Sequence, residues 1–239
     1  MNFFTGILNN YSNFFNLHVI LTTLSDPANW MLIFTLIILE ALLSSDNALV
    51  LAVMVRHLPQ KQQKKALLYG IWGAYLFRFI AIGVGTFLIK IWWFKLLAAG
   101  YLLYMVWDYF RNKDENEDGI NDSLQKGFWA TVLSIELMDI TFSIDSVTAA
   151  FGVSNEMWVL FLGAIFGILA MRGVAKIFVS LIEKVPELET SSYVLIAFIG
   201  IKMLLGLINL EIPNLVFFVL LIATFGTTLL IHNLKNKTT

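Results

Sequence analysis

Two short stretches of the chain carry acidic side chains with matched spacing. Residues 40–48 read E-A-L-L-S-S-D-N-A, and residues 139–147 read D-I-T-F-S-I-D-S-V. Both lie inside runs apolar enough to cross a bilayer, where an acid costs at least about 2.5–3.5 kcal/mol and marks a functional site. A repeated pair of such acids predicts a cation site. One offset aligns Glu40 with Asp139, Ser44 with Ser143, Asp46 with Asp145, and Asn47 with Ser146.

The donors of this predicted site are hard oxygen atoms. Glu136 adds another acid on the face of Asp139, although Ile37 takes its place in the first copy. Oxygen donors without histidine suit magnesium, calcium or manganese and argue against copper or zinc. The candidate metal ligands are Glu40, Asp46, Asn47, Glu136, Asp139 and Asp145. The candidate supporting or gating residues are Ser44, Ser143, Ser146, Lys202, Arg78 and Arg172.

The balance of buried charge also favours a divalent cation. Five acids in this set face three basic side chains, Arg78, Arg172 and Lys202, if all of them lie inside the bundle. The two excess negative charges match one divalent cation or two protons. We therefore treat protons as a candidate counter-ion.

The composition indicates a membrane protein with several spans. Of the 239 residues, 58% are hydrophobic and only 14% are charged, whereas soluble domains carry about 25% charged residues. The chain has no cysteine and a net charge of −1, so neither a thiolate site nor a nucleic-acid partner is predicted. No nucleophile or cofactor motif is present, and we do not expect an enzyme. The oligomeric state is left open.

The apolar runs and the polar residues between them predict seven spans and five regions. An amphipathic N-terminal segment at the membrane interface occupies residues 1–29. Residues 30–110 form a first repeat, 111–127 a cytosolic acidic linker, 128–210 a second repeat, and 211–239 the seventh span and a cytosolic tail. The spans are predicted at 30–55, 66–89, 96–110, 128–151, 157–182, 192–210 and 214–232.

The distribution of basic residues predicts the orientation of these spans. The loop at 56–65 holds four Lys or Arg residues and the tail adds Lys235 and Lys237, whereas the N-terminal segment holds none. The positive-inside rule therefore places the N-terminus outside and the C-terminus in the cytosol.

The two motifs belong to a longer internal repeat. G-A-Y-L-F-R at 73–78 resembles G-I-L-A-M-R at 167–172, so three spans repeat as three spans. An odd number of spans forces the copies into opposite orientations, as in secondary transporters. We expect an all-α membrane fold with seven transmembrane helices, a 3+3 inverted repeat plus one extra helix, and broken helices at the midplane. The breaks are expected at 44–47 and 143–146, because serine can bend a membrane helix.

The paired motifs, together with G-I-K-M-L-L at 200–205, resemble the TerC family of integral membrane proteins. The resemblance implies a bacterial inner-membrane exporter of manganese(II), with its acidic motif residues at Glu40, Asp46, Asn47, Glu136, Asp139 and Asp145. Two alternatives stay open: transport of another divalent cation such as calcium, and a membrane scaffold that delivers metal to secreted enzymes.

Separately, Asp114 to Gly119 match the start of a calcium-binding loop, but position twelve is Gln125, which favours a solvated linker.

Overall fold

The computed structural model describes residues 11–12, 14–84, 92–113, 127–210 and 212–238. Over these ranges the chain is all-helical, with nine helices and no strand. The predicted interfacial residues 1–10 and the calcium-loop match at 114–119 lie outside them. The helices are α1 (Leu17–Ser25), α2 (Pro27–Leu43), α3 (Ser45–Arg56), α4 (Gln60–Val84), α5 (Trp92–Lys113), α6 (Phe128–Phe151), α7 (Met157–Lys184), α8 (Glu187–Leu207) and α9 (Asn214–Thr238).

Four of the described helices are long and apolar enough to cross a membrane. They are Gln60–Ile82 within α4, α7, α8, and Asn214–Leu234 within α9. A fifth span is added if Leu17–Ser25 and Pro27–Ala41, which are bent by 83° at Asp26, form one broken crossing. The helix α6 has a similar length but carries three acids. The described part of the chain thus contains four or five candidate spans by length and composition, against the seven expected.

The turn between α1 and α2 is fixed by capping. The Asp26 side chain accepts a hydrogen bond from the Ala28 amide at 2.9 Å, and Pro27 occupies the first helical position, where its missing amide proton is not needed. The Trp30 indole nitrogen also donates to the Leu24 carbonyl at 2.9 Å. These bonds hold α1 at a sharp angle to α2.

We expect Asp26→Ala to weaken this turn. Loss of a side-chain cap costs about 1 kcal/mol, which corresponds to a fall of about 2–4 °C in the midpoint of thermal unfolding. Thermal unfolding of the detergent-purified variant measures the shift. Asp26→Asn keeps the acceptor oxygen and should stay within about 1 °C of the unmodified protein; equal shifts for both variants would exclude the capping role.

The predicted break in the first motif is present and consists of one residue. The helix α2 ends at Leu43, Ser44 has φ −103° and ψ 16°, and α3 begins at Ser45. The Ser44 hydroxyl donates to the Glu40 carboxylate at 2.9 Å. Asp46 consequently lies in the first turn of a new helix, where the helix dipole favours negative charge.

The predicted break in the second motif is wrong. The helix α6 runs without interruption from Phe128 to Phe151. Hydroxyl groups here bond to the preceding turn, as in Thr141 to the Leu137 carbonyl and Thr148 to the Ile144 carbonyl. These bonds leave the main-chain ladder intact. Asp145 also points out of the bundle toward Lys95, so the helix does not need to unwind to accommodate it.

The helix α3 lies at the centre of the packing, and every residue from Ser45 to Val55 is buried. Around it the helices pair in a reciprocal pattern: α2 packs on α7, α4 packs on α6, and α5 packs on α8. Each of these contacts joins a helix before the linker to a helix after it. The motif helices α2 and α6 therefore each pack on the helix of the second expected span in the other half.

Glycines allow two of these helix pairs to approach closely. A Cβ atom at Gly163 of α7 would lie 2.7 Å from the Leu36 Cβ, and one at Gly70 of α4 would lie 2.8 Å from the Ile135 Cγ2. Small residues let membrane helices approach in this way. Leu36 and Ile135 are related by the same offset that aligns the two acidic motifs.

Candidate functional site

Buried ion pairs form the polar centre of the bundle. Glu40 of α2 receives both terminal nitrogens of Arg78 on α4, at 3.1 Å and 3.0 Å. The Arg78 Nη2 also donates to the Ser143 hydroxyl at 3.4 Å. A guanidinium of the first half therefore binds one acid of its own half and one hydroxyl of the second motif.

The second motif has a matching pair, formed by Asp139 of α6 and Arg172 of α7. Both side chains are buried. Asp139 also lies within electrostatic range of Arg78 and Glu40, so the two pairs form one cluster. The pairing differs from the first because only the Arg172 Nη2 donates to the acid.

Asp46, in the first turn of α3, pairs with a lysine of the other half. The Lys202 Nζ on α8 lies 3.1 Å from the Asp46 Oδ2, and it also contacts the Asn214 Oδ1 at the start of α9. The side chains of Asp46 and Lys202 are 9% and 16% exposed. Asn47 is buried next to Asp46. A buried acid at a helix start is thus neutralised by a flexible ammonium group.

Asp145 has a different environment. Its carboxylate lies 2.5 Å from the Lys95 Nζ of α5, and its side chain is 69% exposed. Asp46 and Asp145 are equivalent in the repeat, yet one is buried against α8 and the other faces outward against α5. Lys95 was not predicted to bind an acid; its position near the start of an apolar helix was the available signal.

The six predicted ligands are not assembled into one cage in this conformation. Among the described residues, which include all five acids, no three Asp, Glu or His side chains lie close enough together to hold a metal ion. A small cavity does open beside the Glu40–Arg78 pair, and Ser146 contributes its other polar wall. Its remaining lining is apolar and includes Leu36, Ile82, Phe151 and Leu160.

The family model of the integral membrane protein TerC family matches residues 25–239. The chain belongs to the TerC family. This membership, with the apolar helices, makes it an integral membrane protein. The TerC relatives include "Uncharacterized membrane protein YceF" of Bacillus subtilis (strain 168), which is 51% identical over an alignment of 244 residues, and the match covers 99% of this chain and 95% of that protein.

More distant TerC relatives share the same region. "Uncharacterized membrane protein YkoY" of Bacillus subtilis (strain 168) is 38% identical over an alignment of 194 residues, and the match covers 74% of this chain and 60% of that protein. "Thylakoid membrane protein TERC, chloroplastic" of Arabidopsis thaliana is 29% identical over an alignment of 208 residues, and the match covers 74% of this chain and 54% of that protein. No solved structure matches the chain.

Proposed function

We propose that this TerC protein is a secondary transporter that exports manganese(II) from the cytoplasm of a bacterial cell. The observation that carries the proposal is Asp46: a buried acid, at a helix break, balanced by the flexible ammonium group of Lys202. Acids at membrane depth mark ion pathways. A divalent cation can take the place of a mobile counter-charge, and the surrounding oxygen donors suit manganese.

We further propose that the chain forms seven spans with an inverted repeat, its N-terminus outside and its C-terminus in the cytosol. The reciprocal pairing of α2 with α7 and of α4 with α6 supports a two-fold relation between the halves. The close approach of each motif helix to a glycine of the other half, Leu36 to Gly163 and Ile135 to Gly70, also supports this two-fold relation. In such folds the two repeats rock about a site near the midplane. Rocking would bring the separated acids together around the cation.

Transport by purified protein in vesicles tests this proposal. We expect manganese flux, and we expect Asp46→Asn to lower it at least about tenfold, since even outer partners of metal sites contribute about 10- to 100-fold. Glu156→Gln is the matched control, because Glu156 is exposed in the loop before α7. Equal flux for Asp46→Asn and Glu156→Gln would exclude Asp46 from the pathway.

Two alternatives give different results in the same vesicles. Calcium has similar ligand preferences, so calcium flux in place of manganese flux would identify that ion as the substrate. A metal-delivery scaffold would bind manganese without turnover, and the ion-paired acids of this conformation are compatible with it. Flux measured with and without a pH gradient tests proton exchange, because a proton-coupled transporter responds to the gradient.

A further inference from the structure

Glu136 differs from the other four acids of the two motifs. Glu40, Asp46, Asp139 and Asp145 each have one basic partner. None of the ion pairs formed by the described residues includes Glu136. With Lys95 counted, five acids face four bases, and Glu136 carries the charge that remains. A half-buried acid outside these ion pairs is costly in a membrane and calls for a specific role.

The surface of α4 positions this acid next to Arg172. A Cβ atom at Gly73 would lie 1.9 Å from the Glu136 Oε2, so the carboxylate fills the space that this glycine leaves. A Cβ atom at Gly70 would lie 2.8 Å from the Arg172 Nη2. Positions three apart on a helix have Cβ atoms about 5–6 Å apart. The carboxylate and the guanidinium therefore rest on adjacent turns of α4.

Arg172 has buried donors that no described residue accepts. Its side chain is 2% exposed, and its Nε and Nη1 have no hydrogen-bond partner among the described residues. Within the described ranges, Arg78 leaves only its Nε without a partner, because Glu40 and Ser143 accept from both terminal nitrogens. Buried donors without partners are rare. The second half thus combines a guanidinium that has two unpartnered nitrogens with a carboxylate outside the ion pairs, whereas Arg78 has one unpartnered nitrogen and Ile37 stands at the position equivalent to Glu136.

We propose that Glu136 is the alternative counter-charge of Arg172 and exchanges with Asp139. When Asp139 leaves the guanidinium, Glu136 swings from Gly73 to the free edge of Arg172 and keeps the buried positive charge neutralised. In transport, a step that rests on the proposed function, this exchange frees Asp139 to bind the cation. Glu136 is then a positioning residue, in contrast to the metal ligand that the sequence predicts.

Thermal unfolding of the purified protein tests the exchange without any transport assay. Asp139→Asn and Glu136→Gln should each lower the unfolding midpoint by less than about 3 °C, because one acid still neutralises Arg172. The double variant should lose about 8 °C or more, because it strands a buried charge. Glu40→Gln alone should resemble the double variant, since Ile37 occupies the position equivalent to Glu136 in the first half. Additive shifts in the double variant would overturn the proposal.

A triple variant keeps the test decisive if the double variant does not fold. Adding Arg172→Met removes the stranded charge, so folding should recover to within about 4 °C of either single variant. Failure of the triple variant to recover would overturn the proposal, because the loss would then not arise from Arg172.

Binding and flux separate this inference from the proposed function. For Glu136→Gln we expect the Kd for manganese to weaken at least about tenfold, because Asp139 can then bind the cation only by leaving Arg172 without a counter-charge. Adding Arg172→Met should bring the Kd back to that of the unmodified protein or below it, because Asp139 then has no guanidinium to leave. A Kd that stays about tenfold weaker in Glu136→Gln/Arg172→Met would make Glu136 a ligand and overturn the exchange, with the transporter proposal intact. Absence of flux in the unmodified protein would remove the transporter proposal, and the unfolding result would still decide the exchange.

Discussion

Gly167→Ala is expected to disrupt the bundle, with loss of both stability and flux. A Cβ atom at Gly167 of α7 would lie 2.5 Å from the Glu40 Cγ and 2.7 Å from the Glu40 Cβ. These atoms are near the main chain of α2. The clash with the added methyl group can therefore be relieved only if the helix α2 itself moves, because a rotation at the far end of the Glu40 side chain is not enough. Movement of α2 would also separate Glu40 from Arg78, to which it makes two charged hydrogen bonds.

The expected size follows from the two effects together. Overpacking a close contact costs about 1–3 kcal/mol, and breaking a buried ion pair costs about 3–5 kcal/mol. A loss of about 4 kcal/mol or more lowers the unfolding midpoint by about 8–16 °C for a chain of this size. Thermal unfolding of the detergent-purified protein measures the shift, and vesicle flux measures the loss of activity.

Gly173→Ala is the control on the same helix. A Cβ atom at Gly173 meets nothing within 4 Å among the described residues, and alanine is a better helix former than glycine by about 1 kcal/mol. Gly173→Ala should therefore unfold at the same or a slightly higher temperature. If the two alanine variants behave alike, the close approach of α2 and α7 at Gly167 does not matter for assembly.

The sequence predicts the later helices well because short polar segments separate them. The expected spans at 128–151 and 157–182 correspond to α6 and α7 within two residues, and the expected span at 214–232 begins where α9 begins, although α9 continues to Thr238. The first half was harder to predict from its pattern. Ser44 divides the first expected span into two helices, and α4 begins at Gln60, within a loop that its basic residues had marked as polar.

The environment of the acids could be predicted only in part. Helical periodicity shows that Asp46 and Asp145 lie off the face shared by the other motif residues. It does not show which neighbouring helix covers that face, because this depends on packing between distant segments. Asp46 meets Lys202 of α8, whereas Asp145 meets Lys95 at the outside of α6. The same local pattern therefore gives one helix break and one uninterrupted helix.

Lys202→Met is expected to tighten manganese binding. The Lys202 Nζ lies 3.1 Å from the Asp46 Oδ2 inside the bundle, so a cation that binds Asp46 must displace this ammonium group. Breaking a buried pair costs about 3–5 kcal/mol, and even about a third of that, about 1.4 kcal/mol, corresponds to a tenfold change in Kd. Without Lys202 this competition disappears, and the Kd should fall at least about tenfold.

Flux should change in the opposite direction. A cation that binds more tightly leaves more slowly, and Lys202 is no longer present to replace it on release. We therefore expect at least about a tenfold slower flux at saturating manganese, since most differences in affinity appear in the dissociation rate. Isothermal titration calorimetry of the purified protein gives the Kd, and manganese uptake into vesicles that contain the purified protein gives the flux.

Lys95→Met provides the matched control, because it removes the same side chain from the equivalent acid. The Asp145 side chain is 69% exposed, and an exposed ion pair contributes only about 0–1 kcal/mol, so its loss should change the Kd less than about threefold. If Lys202→Met binds manganese no more tightly than Lys95→Met, Lys202 is a structural partner of Asp46. If only Lys202→Met gains affinity, the ammonium group occupies the place that the cation takes, and its displacement is a step of transport.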